Sequence, residues 1–196
     1  MRTLVRFAAA AATVLPSLAH ASDFGQQGTT LVEGTIAASS LGEVDLSATC
    51  GAFVLDDVFV GGTLRLNVFR RTDGTSIEES AMLSDRTVFI GFAPRYYLPL
   101  SAAKTIFGKF GGSLGYAVST EYGGNDPTEG QTVFHGIQFN ASVGLAFALG
   151  GERGGLIDIS LGFEKSLFFR EDFDDGVAVE IDRTALGLFV GVGAFL

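Results

Sequence analysis

The chain has 196 residues, enough for one domain, with 13 basic and 22 acidic residues, a formal charge of −9 and one cysteine. The acidic balance argues against a nucleic-acid-binding surface, which needs clustered positive charge, and a lone Cys50 excludes an intramolecular disulfide or a cysteine-built metal site. Hydrophobic residues make up 47% and mean hydropathy is +0.36, yet beyond the N-terminal stretch no apolar run approaches the roughly 18 residues of a membrane helix.

Taken in order, the chain opens on Arg2 and Arg6, an apolar run over Phe7–Val14, and Ala19-His20-Ala21. A short basic region, a short apolar core and small residues at the cleavage positions predict an export signal over residues 1–21, removed after Ala21. Losing Arg2 and Arg6 leaves 11 bases against 22 acids in residues 22–196, a formal charge of −11. With 27 glycines and only 4 prolines, the chain suits strands and tight turns rather than helices. An exported, apolar, helix-poor chain has the composition of a membrane β-barrel.

A polar lead, Ser22–Gly28, precedes eight alternating segments: Thr29–Ala38, Glu43–Val54, Val58–Arg71, Asp85–Leu98, Thr105–Ser119, Thr132–Leu149, Leu156–Phe169 and Val177–Leu196. The connections after the second, fourth and sixth are short. Those after the third, fifth and seventh, Thr72–Ser84, Glu121–Gln131 and Arg170–Gly176, are longer and acidic. Such sorting is the asymmetry of membrane barrels, with short turns on the periplasmic side. The expected fold is therefore all-β, an eight-stranded antiparallel up-and-down transmembrane β-barrel.

Alternation divides each strand into two faces. In the sixth, Ile137, Phe139, Val143 and Leu145 oppose Gly136, Gln138, Asn140 and Ser142. In the seventh, Ile157, Ile159, Leu161 and Phe163 oppose Asp158, Ser160, Gly162 and Glu164. Alternation alone does not say which face is outside, so a soluble exported barrel or sandwich is the fold-level alternative. The small, glycine-rich polar face suits a narrow interior. The apolar last strand, with Leu186, Leu188, Val190 and Val192 on one side, suits closure against the first, which abolishes an exposed edge.

On the inner face this places Glu33, Asp45, Asp158 and Glu164 with Arg65, Arg95, Lys109 and Arg183. Eight strands leave room only for side chains, and unpaired charge in a dry interior is costly. A salt-bridge network that plugs the barrel is expected; the functional alternative is a narrow path for ions or small solutes. Cys50 reads as a small apolar filler. Tyr96 with Tyr97, and Phe168 with Phe169, read as interfacial girdles, and Arg70, Arg71, Arg86 and Arg170 as contacts to lipid phosphates. His135, on the lipid-facing register, has no nucleophile or acid at a useful spacing. No catalytic motif occurs, so an enzyme, including a lipid-modifying one, is not expected. Glu171, Asp172, Asp174 and Asp175 are the weak metal candidates, without calcium-loop spacing.

Two segments carry a family resemblance. Cys50-Gly51-Ala52-Phe53-Val54-Leu55-Asp56-Asp57, leading to Val60-Gly61-Gly62, is similar to a recurring Gly-Tyr-Phe, short turn, Gly pattern, and Ala93-Pro94-Arg95-Tyr96-Tyr97 is similar to an Arg-Tyr-Tyr segment. Over about Thr29–Leu196 the chain resembles the small outer-membrane β-barrel family that includes the eight-stranded OmpX- and OmpA-like barrels. Its last strand resembles the signal read by the barrel-insertion machinery, with Gly191, Ala194 and Leu196 at the matching positions and Leu196 where the family carries an aromatic residue. The resemblance implies the outer membrane of a Gram-negative bacterium, contact with its lipid and lipopolysaccharide, a monomer, no cofactor, no catalytic residues and no single activity. A structural or surface-interaction role through the acidic loops is the expected function.

Overall fold

The computed structural model describes residues 24–40, 44–72, 82–122, 131–150, 154–171 and 178–196. The expected signal, residues 1–21, and the acidic tip with Asp172, Asp174 and Asp175 lie outside the described residues. Eight strands follow one another in chain order: β1 (Thr30–Ser39), β2 (Val44–Leu55), β3 (Val58–Thr72) and β4 (Met82–Pro99). They continue as β5 (Ile106–Tyr122), β6 (Gln131–Leu149), β7 (Gly154–Glu171) and β8 (Ala178–Phe195). Each pairs antiparallel with its neighbours, and β1 pairs with β8 from Leu31↔Phe195 to Ser39↔Gly187, closing an up-and-down barrel. Among the described residues no helix is long and apolar enough to cross a membrane.

Closure fixes the geometry. A ladder begun at Val32 runs through Cys50, Gly62, Phe92, Leu114, Phe139 and Lys165 to Thr184 of β8. Val32 itself pairs with Ala194, so one circuit of the barrel is staggered by the ten residues between Thr184 and Ala194. With ordinary strand spacings this corresponds to a tilt of about 40°, within the usual range for barrels. From Val88 to Leu98 the outward side chains of β4 then cover about 25 Å along the barrel axis, the height of a lipid-facing apolar band.

Several strands run further than the expected segments. β4 begins at Met82 rather than Asp85, β5 ends at Tyr122 rather than Ser119, and β7 extends to Glu171. Arg70↔Ser84, Arg71↔Leu83 and Thr72↔Met82 continue the β3–β4 ladder into residues assigned to a loop. Polarity ends an apolar pattern without ending a ladder, because backbone pairing does not depend on an apolar side chain.

The lead segment is the larger surprise. Phe24 is fully buried inside the barrel end, and Gly25 and Gly28 adopt φ of 85° and 92°. That left-handed backbone, which glycine tolerates freely, turns the segment back under β1. It is tied to the β2–β3 turn by Asp57 N–H donating to Gly25 O (2.6 Å) and Gln27 N–H donating to Asp56 Oδ1 (3.0 Å).

Asp57 is itself left-handed (φ 62°), and its Oδ1 is buried without a hydrogen-bond partner. Burial pushes its carboxyl above the ordinary range; Lys104 opposes this and Asp56 adds to it. A raised folded-state pKa penalises the ionised form only in the folded barrel. The associated stability is intact below the ordinary carboxylate pKa and is lost as pH rises through the raised one. Asn also tolerates the left-handed backbone. Asp57→Asn is therefore expected to raise the unfolding temperature near neutral pH and to leave it unchanged at about pH 3, below the unperturbed value; thermal melts at the two pH values check this.

Candidate functional site

Parity delivers the site. Inward positions of strands on different sides of the barrel meet across its axis, and the chain places its buried charges there. Glu33 of β1, Arg95 of β4, Lys109 of β5 and Asp158 of β7 form a lower ionic layer. Arg95 Nη1 lies 2.7 Å from Glu33 Oε2, and Lys109 Nζ lies 2.6 Å from Asp158 Oδ1 and 3.7 Å from Glu33 Oε1. Thr35 Oγ1 donates to Glu33 Oε1 (3.0 Å), while Arg95 donates to Thr49 Oγ1 (3.2 Å) and Tyr97 OH (3.3 Å). The Arg95 guanidinium also sits 5.5 Å from the centre of the Phe59 ring, a favourable cation–π placement. With Glu33 1% and Asp158 0% exposed, the layer is shut off from solvent, and two acids face two bases.

A second layer lies nearer the long-loop end. Arg65 of β3 bridges to Glu164 of β7 and donates to Ser113 Oγ (3.3 Å), with its guanidinium 5.2 Å from the Phe89 ring centre. Gln138 Nε2 donates to Glu164 Oε1 and to Ser166 Oγ. Asp45 accepts from Asn67 Nδ2 (2.8 Å). The Arg183 guanidinium sits 6.0 Å from the Phe168 ring centre. Of the eight charged residues expected inside, Glu33, Arg95, Lys109 and Asp158 lie in the lower layer, Arg65, Glu164 and Asp45 in the upper one, and Arg183 beside the Phe168 ring.

Between the layers is a cavity of about 50 Å³ lined by hydroxyls, among them Thr35, Ser47, Thr49, Thr63, Ser142 and Ser160. Asn140, 6% exposed, faces it with an Nδ2 that has no protein partner. The polarity and volume suit a few water molecules. That volume is an order of magnitude below an ordinary small-molecule pocket.

Beneath the lower layer is an aromatic floor that alternation alone did not announce. Phe53, Phe59, Tyr97, Phe107 and Phe195 are buried with Leu31, Leu156 and Phe24. Their shared inward parity was available from sequence, but their convergence depends on register around the barrel. Tyr97 and Phe168 were expected in interfacial girdles; both point inward, at 0% and 2% exposure. Adjacent residues of a strand face opposite sides, so only one of each pair can meet lipid. Tyr96 and Phe169 are the outward members. Cys50, expected as a filler, is exposed on the outer surface by the same rule.

Gly191 of β8 has a local function in this packing. A Cβ there would collide with Asp158 Oδ2 and come within 3.2 Å of Glu33 Cδ, so glycine makes room for the two acids. Ala194 and Leu196 face outward or lie at the strand's edge, and Thr30 and Leu196 exchange two backbone hydrogen bonds of 2.8 and 2.9 Å. His135 faces outward and hydrogen-bonds the Tyr116 hydroxyl through Nδ1, with the rings stacked at 6.0 Å. Among the described residues no group of three metal-ligating side chains occurs, and the Glu171 side chain is outside the description.

No family model matches the sequence, and neither does any curated protein. Solved structures do. The N-terminal β-barrel domain of Pseudomonas aeruginosa OprF matches at a TM-score of 0.50 and 12% identity, over 87% of this chain and 98% of that one. Neisserial surface protein A matches at 0.49 and 12%, over 86% and 94%. Ail, the attachment invasion locus protein of Yersinia pestis, matches at 0.42 and 11%, over 87% and 99%. The chain has the fold of the eight-stranded outer-membrane β-barrels, which the OprF domain shares.

Two predictions follow from the lower layer. Glu33→Ala leaves Arg95 and Lys109 facing a single carboxylate, and breaking a buried pair of this kind costs about 3–5 kcal/mol; a lowered denaturant midpoint of the refolded barrel checks it. Gly191→Val should also slow or abolish refolding into detergent micelles, where no insertion machinery is present. Normal refolding in micelles with failed assembly in cells would place the effect of Gly191 in recognition instead.

Proposed function

We propose that the chain is an integral outer-membrane barrel, closed by its own side chains, whose role is structural or surface-interactive. The observation that carries this reading is the inside-out distribution of its residues. Outward positions are occupied by large apolar groups, with Ile90, Leu161, Leu186 and Val192 between 64% and 65% exposed. Inward positions hold paired charges and hydroxyls. In water this arrangement would expose a continuous apolar girdle far larger than the patches soluble monomers carry. In a bilayer it is the low-energy one, since closure satisfies the backbone and the girdle meets lipid.

The edges of the girdle support the same reading. Arg86, His135 and the Lys165–Asp182 pair (2.6 Å) stand on the outward face toward the long-loop end. Basic groups there suit phosphate-bearing headgroups, lipopolysaccharide among them. Contact with the insertion machinery through Gly191, Ala194 and Leu196 belongs to this reading, as does a monomer, because closure leaves no unpaired strand edge. The narrow-conduit alternative draws on the hydroxyl-lined cavity, but an ionic layer lies on either side of it and the aromatic floor lies beneath.

Fractionation of cells expressing the chain tests the proposal. Recovery in the outer membrane, with an electrophoretic shift between unboiled and boiled samples, is expected. Recovery as a soluble periplasmic protein would overturn it.

A further inference from the structure

The two ends of the interior are built differently. Toward the long-loop end polar contacts continue: Asn67 with Asp45, Thr87 with Ser119 (3.0 Å), Gln138 with Ser166 (3.0 Å). The opposite end, where residues 24 and 196 lie, is closed by rings. Phe24 fills the centre of that floor. Its ring centre is 5.2 Å from Phe53, 5.0 Å from Tyr97, 4.9 Å from Phe107 and 5.2 Å from Phe195, in edge-to-face arrangements. Those four rings come from β2, β4, β5 and β8, so they approach from around the circumference and Phe24 occupies the space between them.

Unlike the other rings, Phe24 does not belong to the barrel wall. It is carried by a short strap that ends where β1 begins and is tied to residues 53–57. Gly28 N–H donates to Phe53 O (2.8 Å), and Gln27 Nε2 donates to Val54 O (3.0 Å), besides the Gly25 and Gln27 contacts to the β2–β3 turn. Two left-handed glycines flank Gln26 and Gln27 in that strap. Its bonds to residues 53–57 can be released without breaking any strand ladder.

Resting on the reading of a membrane-embedded barrel, we propose that Phe24 is the stopper of this barrel. It keeps water and ions from passing between the polar interior and the side where residues 24 and 196 lie. Narrow apolar constrictions exclude water by dewetting, and the centre of this one is a single side chain on a releasable strap. Permeability is then governed first at the floor. The ion pair of Arg65 and Glu164 lies beyond it, and separating that pair leaves the floor shut.

The test is single-channel recording of the purified, bilayer-inserted protein. The parent protein is expected to be closed almost all the time. Phe24→Ala is expected to raise open probability at least tenfold while the barrel keeps its heat-modifiable migration, and Arg65→Ala is expected to stay at the parent level. An inserted, heat-modifiable Phe24→Ala barrel as closed as the parent overturns the stopper, and so does an equal rise in Arg65→Ala. Should Phe24→Ala not fold, Asp56→Ala takes its place, since it removes the Gln27 bond and leaves every ring in position. A several-fold rise in brief openings supports the proposal, and none overturns it. A parent protein that does not enter membranes sinks the membrane reading and the stopper together, whereas a closed Phe24→Ala barrel sinks the stopper alone.

Discussion

Pairing of β1 with β8 is the constraint on which the other features of this molecule depend. It removes the free edges that an apolar first and last strand would otherwise offer to other chains. It also fixes the radius. Eight strands staggered by ten residues per circuit enclose a space that side chains fill. Inward residues therefore meet residues from across the axis, and a charge such as Glu33 is cut off from bulk water. The ion pairs of the interior are a consequence of the closure as much as a contribution to it.

The same radius explains the vertical order. Large rings crowd the end where the strap enters, and the charges above them are separated by hydroxyls and glycines that keep the column narrow but not overpacked. Gly191 shows the fit at one position, since any side chain there would displace Asp158 or Glu33. Tyr97 joins the two kinds of packing: its ring lies in the floor and its hydroxyl accepts a hydrogen bond from Arg95. The cavity between the ionic layers, about 50 Å³, is too small for an ordinary small-molecule ligand.

Much of this was legible in the sequence because parity is a local property. The order and number of strands, the inward position of Glu33, Arg65, Asp158 and Glu164, and the outward position of Ile137 or Leu161 follow from counting by twos. What was not legible depends on register between distant strands. Counting by twos does not tell that Arg95 meets Glu33 rather than Glu164, or that Asp45 turns to Asn67. It does not place Arg183 against Phe168. Reading Tyr96 with Tyr97, or Phe168 with Phe169, as a joint girdle overlooked the parity rule itself. Phe24 was hidden for another reason. It sits in a polar segment outside any strand, so no period marks it, and only the left-handed turns at Gly25 and Gly28 bring it back into the barrel.

In the proposed membrane setting the apolar face of this barrel meets lipid. Cys50 reports on it directly: it is the chain's lone cysteine, free, on the outward face of β2, and it pairs with Val32 and Gly62 within the girdle. Labelling of intact membranes with a charged, water-soluble maleimide is the decisive measurement. If lipid covers the girdle, Cys50 remains unlabelled in the native membrane and reacts fully once the barrel is denatured. Rapid labelling of the folded protein in its native setting would put Cys50 in water and contradict the assignment of the faces.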